Sequence, residues 1–202
     1  MDKNCSYPFS ALLSRMKYIT RWGLMRSSRT ETLSEHTTEV AMLSHLLAII
    51  GQTYCGQTNL RPETVAVAAL YHDASEILTG DLPTPVKYKS EALRGAYKAL
   101  EEESARSLAT LLPDELQAPM LPYLTGTLLT TEEKALLKAA DRLSALIKCM
   151  EEEASGNTEF ASAKRSQLQA LQQMDCPAAN YFLRNMLPCY AQNLDELTGG
   201  CP

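Results

Sequence analysis

Residues 71–87 read YHDASEILTGDLPTPVK, a stretch that continues a helical pattern and then breaks it. Apolar residues recur upstream at the spacing of an α-helix, and His72 and Glu76 extend the same stripe. A glycine and two prolines within residues 79–85 must then end the helix. The pattern predicts a helix that presents a histidine and a carboxylate on its inner face, next to a sharp loop.

Helical periodicity extends from this stretch over almost the whole chain. The predicted helices cover approximately residues 9–19, 32–51, 62–76, 89–111, 130–154, 158–174 and 177–196. Capping boxes mark two helix starts, because Thr32 is followed by Glu35 and Thr130 by Glu133. No β-alternation or internal repeat is found. We therefore predict an all-α fold, a compact single-domain helical bundle.

Composition limits the classes of partner and compartment. With 202 residues the chain suits one domain, and its net charge of −5 gives no reason to expect a nucleic-acid polymer as partner. Six cysteines without CxxC spacing favour reduced thiols over disulfides. No apolar run is long enough to span a membrane, and the N-terminus lacks the apolar region of a signal peptide. We expect a cytoplasmic protein with no membrane partner. The acidic runs 101–103 and 151–153 are interpreted as solvated helix faces.

Four residues form a candidate metal site. His36 lies on an otherwise apolar helical stripe, and Asp141 has apolar neighbours on another helix. Each alone has a simpler explanation, a hydrogen-bonded core histidine or a helix-surface acid in a salt bridge. However, a core-facing imidazole or carboxylate costs free energy unless it is paired or metal-bound. Together with His72 and Asp73 they offer two nitrogen and two oxygen donors. That set suits Mn²⁺, Co²⁺, Fe²⁺, Zn²⁺ or Ni²⁺ and leaves positions for water and substrate.

Further polar residues suit the surroundings of such an ion. Glu76 is one helical turn past His72, where a carboxylate can orient a water or take its proton. A loop carboxylate such as Asp81 can fix a substrate hydroxyl or donate a proton to a leaving oxygen. Arg21 can pair with phosphate oxygens in bidentate fashion, and Trp22 offers a flat wall to a sugar or base. Each residue alone also has a structural explanation: Glu76 as an exposed helical glutamate, Asp81 as a turn-forming aspartate and Trp22 as a core tryptophan.

The order His…His-Asp…Asp resembles that of the HD-domain metal-dependent phosphohydrolases. The local sequence is similar to the YfbR-type bacterial 5′-deoxynucleotidases in RW at 21–22, SEH at 34–36, the stretch at 71–87, KAAD at 138–141 and KCMEEEASGN at 148–157. The resemblance runs from about residue 9 to 160. We therefore assign residues 1–202 to a single HD-type domain, in which 161–202 are helical and without an assigned role.

This resemblance implies a metal-dependent phosphomonoesterase that hydrolyses deoxyribonucleoside 5′-monophosphates to deoxyribonucleoside and phosphate. It implies that Glu76 acts on the attacking water and that Asp81 lies in the substrate pocket. It also implies that Arg21 holds the 5′-phosphate and that Trp22 crowds the 2′-position, which favours deoxyribose. Other candidates for a phosphate contact are Arg26, Arg29, Thr84 and Lys87. A homodimer is implied as well.

The third histidine bears on the number of ions. His45 lies about 180° from His36 around the same helix, and it therefore points away from the site. Binuclear HD enzymes use additional histidines, so we expect one divalent ion, with Co²⁺ or Mn²⁺ ahead of Zn²⁺, Ni²⁺ and Fe²⁺.

Two other functions compete with this one. A hydrolase of nucleoside triphosphates or signalling nucleotides is disfavoured by the single compact domain and the lack of a long basic insertion. A non-catalytic nucleotide-sensing module is disfavoured because all four candidate ligands and Glu76 are present.

Overall fold

The structure is a computed structural model that describes residues 6–87 and 89–199, without the side chains of Thr84 and Pro85. Its α-helices are α1 Phe9–Leu13, α2 Leu33–Tyr54, α3 Pro62–Tyr71, α4 Glu76–Thr79, α5 Thr84–Lys87, α6 Glu91–Ala109, α7 Asp114–Thr125, α8 Thr131–Ala154, α9 Ala161–Gln173, α10 Pro177–Asn185 and α11 Leu194–Gly199. Short 3₁₀ segments cover Ser14–Tyr18, Thr158–Phe160 and Leu187–Ala191. Within the described ranges no strand forms, so the all-α prediction is confirmed.

Both predicted capping boxes are present and start the two longest helices. The Thr32 hydroxyl accepts from the Glu35 N–H, while the Glu35 carboxylate accepts from the Thr32 N–H, at the start of α2. Thr130 and Glu133 make the same reciprocal pair before α8. Each box satisfies helix-terminal N–H groups that have no partner within the helix. These caps fix the starts of the two helices that carry His36 and Asp141.

Buried apolar side chains form two clusters. The main cluster joins α2, α3, α8, α9 and α10, with Leu47, Leu143 and Phe182 among its buried members. A second cluster joins α1, α6 and α7 around Leu108, and it includes Ala74. The chain passes from the main cluster to the second one between the end of α3 and Ala74. His72 and Asp73 therefore lie where the two clusters meet.

The predicted helix over 62–76 is interrupted, which corrects the expectation of one continuous stripe. α3 ends at Tyr71, and the next turn uses i→i+3 bonds such as Ala74 N–H to the Tyr71 carbonyl at 3.0 Å. The Ala69 carbonyl accepts from the His72 ring at 2.7 Å, so this side chain takes up an acceptor of the helix end. Competition of this kind tightens a last turn. α4 then begins at Glu76.

The prolines acted differently from expectation in two places. α7 forms although Pro119 and Pro122 lie inside it, and no helix was predicted there. Its side chains Met120, Leu121 and Leu124 pack in the second cluster, and this tertiary packing outweighs the poor local propensity. Towards the C-terminus the predicted helix over 177–196 divides, as α10 ends before the 3₁₀ segment that contains a proline. No described helix has the length and apolar character needed to cross a membrane.

Candidate metal centre

The structure brings the four candidate ligands together from three elements. α2 contributes His36, the turn after α3 contributes His72 and Asp73, and α8 contributes Asp141. His36 Nε2 lies 3.5 Å from Asp73 Oδ2 and 3.4 Å from Asp141 Oδ1. His72 Nε2 lies 3.1 Å from Asp73 Oδ2. Ligand atoms of the two histidines and Asp73 are all within 4.8 Å of one another, whereas Asp141 is not part of that mutually close set.

The protonation pattern of the imidazoles fits a metal. His72 Nδ1 lies 2.7 Å from the Ala69 carbonyl, which can only accept, so this nitrogen carries the proton. His36 Nδ1 lies 3.0 Å from Ser144 Oγ. Both Nε2 atoms are buried without a hydrogen-bond partner in the described part of the chain. Two unpartnered imidazole nitrogens facing two carboxylates form a donor set that a divalent transition ion satisfies.

The charges of these groups depend strongly on one another. Burial favours the neutral form of His72, but the charge of Asp73, whose Oδ2 lies 3.1 Å from Nε2, outweighs burial and raises the pKa of His72 to about 9. Burial also opposes ionisation of Asp73, and the charge of His72 overrides this and holds the pKa of Asp73 well below its usual value. For Asp141 the same opposition from burial is overcome by the His36 imidazole 3.4 Å away and by the charge of Lys138, so its pKa is lowered. The carboxylates are therefore ionised at neutral pH.

Ser144 and Glu39 support His36 from behind, and neither was identified from the sequence. The Ser144 hydroxyl donates to Glu39 Oε2 at 2.5 Å, so its oxygen accepts from His36 Nδ1–H. This arrangement keeps the Nε2 lone pair directed at the site. Spacing gave a usable signal, because Ser144 lies three residues after Asp141 and Glu39 three residues after His36, each on the same helix face.

Glu76 and Asp81 both lie near the cluster. Glu76 is 4% exposed, and its Oε2 is buried without a partner among the described residues. Burial first, then the charges of Asp73 and Asp81, raises the pKa of Glu76 to about 9. Asp81 is half-buried, and burial raises its pKa although Arg21 and a hydrogen bond from the Trp22 backbone N–H oppose the shift. The charges of Glu76 and Asp81 therefore interact with each other and with Asp73 of the cluster.

Arg21 and Trp22 reach the cluster from the segment 20–31, which we call the arginine loop. Arg21 Nη1 lies 3.6 Å from Asp73 Oδ2, and the arginine side chain is 13% exposed. The Trp22 indole N–H donates to Glu31 Oε2 at 2.6 Å. The ring meets Phe160 edge-on, with the centroids 5.2 Å apart. Sequence reasoning missed Glu31, whose partners Arg21, Trp22 and His36 lie five to ten residues away with no motif to join them.

The other candidates for a phosphate contact have different partners. Lys87 donates to Glu101 at 2.6 Å and lies over the Tyr97 ring. Arg26 pairs with Glu159 and Arg29 with Glu35. The side chain of Thr84 lies outside the described residues. Among the predicted cations, Arg21 is the one whose ion pair with a candidate metal ligand is seen in the described structure.

A buried ion pair fixes the far half of the arginine loop to α8. Glu152 is fully buried, so the interpretation of its acidic run as solvated is wrong at this position. Its carboxylate accepts from Lys148 at 2.5 Å, from the Ser28 N–H at 2.8 Å and from Asn157 at 2.7 Å. Lys148 also donates to the Arg29 carbonyl at 2.7 Å. These bonds offset the cost of burying the charges.

The amino-acid sequence matches that of a known protein family. The profile of a family described as "5′-deoxynucleotidase YfbR-like" matches residues 8–190, beyond the 9–160 over which the resemblance was seen. A 5′-deoxynucleotidase of Cronobacter sakazakii is 45% identical over 194 residues, covering 96% of this chain and 97% of that protein. The 5′-deoxynucleotidase YfbR of Escherichia coli is 44% identical, with the same coverage.

Solved structures share the fold. An HD-domain phosphohydrolase from Listeria innocua superimposes with a TM-score of 0.78 at 24% identity, covering 90% of this chain and 87% of that one. The cyanophage S-2L HD phosphohydrolase DatZ, bound to dA and one catalytic Zn²⁺ ion, gives a TM-score of 0.62 at 18% identity and covers 91% and 97%. At these identities the likeness extends to the fold.

Proposed function

This chain belongs to the YfbR-like 5′-deoxynucleotidase family of HD-domain phosphohydrolases, and on that premise we propose how its residues perform the reaction. The reaction is hydrolysis of deoxyribonucleoside 5′-monophosphates to deoxyribonucleoside and phosphate. The observation that carries the proposal is the pair of buried, unpartnered Nε2 atoms of His36 and His72 beside the carboxylates of Asp73 and Asp141.

The four ligands would hold one divalent ion. Such an ion supplies positive charge to the phosphoryl oxygens and lowers the pKa of a nearby water. The donor set excludes none of the first-row ions, and we propose Co²⁺ or Mn²⁺. In support of a single ion, His45 is exposed on α2 whereas His36 is buried. Metal analysis of protein that has been stripped and reloaded should give one equivalent per chain, and two equivalents would contradict this.

The surrounding side chains handle the proton and the phosphate. Glu76 accepts a proton as water attacks phosphorus, and the bond from phosphorus to the 5′-oxygen breaks. Asp81 supplies a proton to that leaving oxygen, a role consistent with the raised pKa of its carboxyl. Arg21 binds the phosphate oxygens and offsets charge in the transition state. Trp22 lies against the 2′-position and disfavours ribose.

A substrate panel tests this function. We expect phosphate release from deoxyribonucleoside 5′-monophosphates with Co²⁺ or Mn²⁺ added, less from the ribonucleotides, and none from Asp73→Ala with any of them. Asp114→Ala, at the start of α7, serves as the control. Absence of phosphate from every deoxynucleotide would contradict the proposal. Pyrophosphate or triphosphate among the products would favour the triphosphate alternative.

We also propose that the protein is a homodimer. α2 exposes Met42, Leu46 and Ile49 at helical spacing, and α3 exposes Val67 and Leu70. Apolar stripes of this kind on adjacent helices are typical of subunit interfaces. Light scattering should give twice the 22.3 kDa of one chain, and Leu46→Glu should shift the mass towards the monomer. A monomeric wild-type mass would contradict the proposal.

A cytoplasmic location and a single HD-type domain complete the proposal. In support of the first, the four cysteines of the described residues, Cys55, Cys149, Cys176 and Cys189, are free thiols. In support of the second, Leu171 of α9 and Phe182 of α10 are buried in the main cluster, so the C-terminal helices contribute to the same core. Labelling of the denatured protein, extracted under acid quench, should find these thiols reduced.

A further inference from the structure

Glu31 contacts three residues of the site at once. Its Oε2 accepts from the Trp22 indole at 2.6 Å. Its Oε1 lies 3.4 Å from Arg21 Nε and 3.5 Å from His36 Nδ1. Its backbone carbonyl accepts from the Arg21 N–H at 2.9 Å. With its side chain 13% exposed, the carboxylate is largely shielded from water, which strengthens these interactions.

The tryptophan that Glu31 holds has an unusual backbone. Trp22 has a φ of +61°, in the left-handed region, and it is the one non-glycine residue with positive φ among the described residues. A bulky residue in that region is strained and stays there because its surroundings hold it. The indole donates to Glu31 and meets the edge of Phe160. Phe160 constrains the ring by shape, whereas Glu31 fixes its direction.

We propose that Glu31 is a positioning residue that orients Arg21 and Trp22 against the metal site and so sets the preference for deoxyribose. The catalytic part of this inference rests on the proposed function, in which Arg21 binds phosphate and Trp22 lies at the 2′-position. The contact with His36 Nδ1 joins both to a metal ligand. If Glu31 only stabilised the fold, its substitution would lower stability without altering the ratio of deoxyribonucleotide to ribonucleotide hydrolysis.

Substitution of Glu31 separates the two roles. Glu31→Ala removes every side-chain contact, while Glu31→Gln keeps an oxygen that can accept from the indole. Glu103→Gln is the matched control, since Glu103 is exposed on α6. We expect Glu31→Ala to lower the deoxyribo-to-ribo ratio of kcat/KM by about tenfold or more and to raise KM, because small misplacements of binding groups are costly. Glu31→Gln should recover most of the ratio, and the control should match wild type.

Fluorescence provides a readout that needs no activity. Trp22 is the only tryptophan in the chain, so intrinsic emission reports on its ring alone. We expect Glu31→Ala to shift the emission maximum in the absence of metal and substrate, with a smaller shift for Glu31→Gln. If Glu31→Ala does not fold, Glu31→Gln against Glu103→Gln decides, because an amide binds the guanidinium less tightly and KM should still rise.

Two results would overturn the inference. One is that both folded Glu31 variants keep the wild-type KM and the wild-type deoxyribo-to-ribo ratio of kcat/KM. The other is an unchanged emission maximum in folded Glu31→Ala. An inactive wild-type protein would instead refute the proposed function, and the emission result would still decide whether Glu31 positions Trp22.

Discussion

Burial and the charges of Asp73 and Asp81 raise the pKa of Glu76 to about 9, so we expect its carboxyl to be neutral at pH 7.5 when no cation is bound. A divalent cation beside it opposes those charges and favours the carboxylate, so metal binding should expel its proton. His72, whose pKa is also raised to about 9, should release a second proton on becoming a ligand. In the proposed mechanism, binding of the cation would thus convert Glu76 to the carboxylate that accepts a proton.

This coupling predicts a proton count. Titration of wild-type protein with Mn²⁺ at pH 7.5, in two buffers of different ionisation enthalpy, should show about two protons released per ion. Glu76→Gln should release about one, bind the ion with little loss of affinity, and lose about a hundredfold or more in kcat. Glu103→Gln should behave as wild type. Equal proton counts for Glu76→Gln and wild type would refute the assignment.

Site residues on helices could be predicted from the sequence, whereas one in a loop could not. His36 and Asp141 were predicted because a polar residue with apolar helical neighbours needs a partner, and the adjacent pair His72 and Asp73 completed the donor set. The structure brings all four together. Glu31 could not be found, since it lies in a loop without periodicity. Its contacts arise only when the arginine loop folds back on the start of α2.

At the scale of elements, helix starts were more predictable than helix ends. The capping boxes of α2 and α8 are local, so four residues specify each of them. The break after Tyr71 depends on a side chain that binds a carbonyl of its own helix, and α7 depends on packing in the second cluster. Periodicity reports neither of these interactions.

The buried acid at the end of α8 controls the arginine loop. Glu152→Ala leaves Lys148 buried without its partner, and the Ser28 N–H also loses its acceptor. We expect a loss of about 3 kcal/mol in the free energy of unfolding. Trypsin should cleave after Arg26 and Arg29 faster than in wild type. The control is Glu153→Ala, which removes a more exposed ion pair with Lys164. Equal cleavage rates in the two variants would contradict this role.

The α8 capping box should make stability depend on pH. Hydrogen bonds from Arg61, opposed by burial, lower the pKa of Glu133 to about 2 from an ordinary 4.5. Its ionised form therefore stabilises the fold above about pH 4.5, and this contribution is lost as the pH falls towards 2. Glu133→Gln should cost about 2 kcal/mol at pH 7. Urea unfolding at several pH values should show the difference shrinking below pH 4.5. A constant difference down to pH 2.5 would be the contrary result.

On the scale of the whole molecule, the four candidate metal ligands come from helices of the main cluster and from the turn that leads into the second cluster. α2 and α8 belong to the main cluster, while the turn carrying His72 and Asp73 leads into the second one. An ion held by all of them binds the folded chain and not the unfolded chain. The expected gain in unfolding free energy is about 2.7 kcal/mol at a free metal concentration one hundred times Kd.

Denaturant unfolding with and without a chelator checks this gain. Wild-type protein should lose the added stability when the chelator removes the ion. The unfolding free energy of Asp73→Asn should be nearly the same with and without the chelator. Asp114→Asn should respond as wild type does. Stability that is indifferent to metal in the wild-type protein would argue against a site that spans the two clusters.

Under the proposal that Trp22 selects deoxyribose, its positive φ is a cost in stability that accompanies this selectivity. A non-glycine residue in that region costs about 1 to 3 kcal/mol, and glycine would relieve it. Selection for stability and selection for substrate preference therefore favour different residues at position 22. A library of all residues at this position, selected for thermal tolerance, should converge on glycine or asparagine. The same library selected for discrimination between deoxyribose and ribose should return the indole.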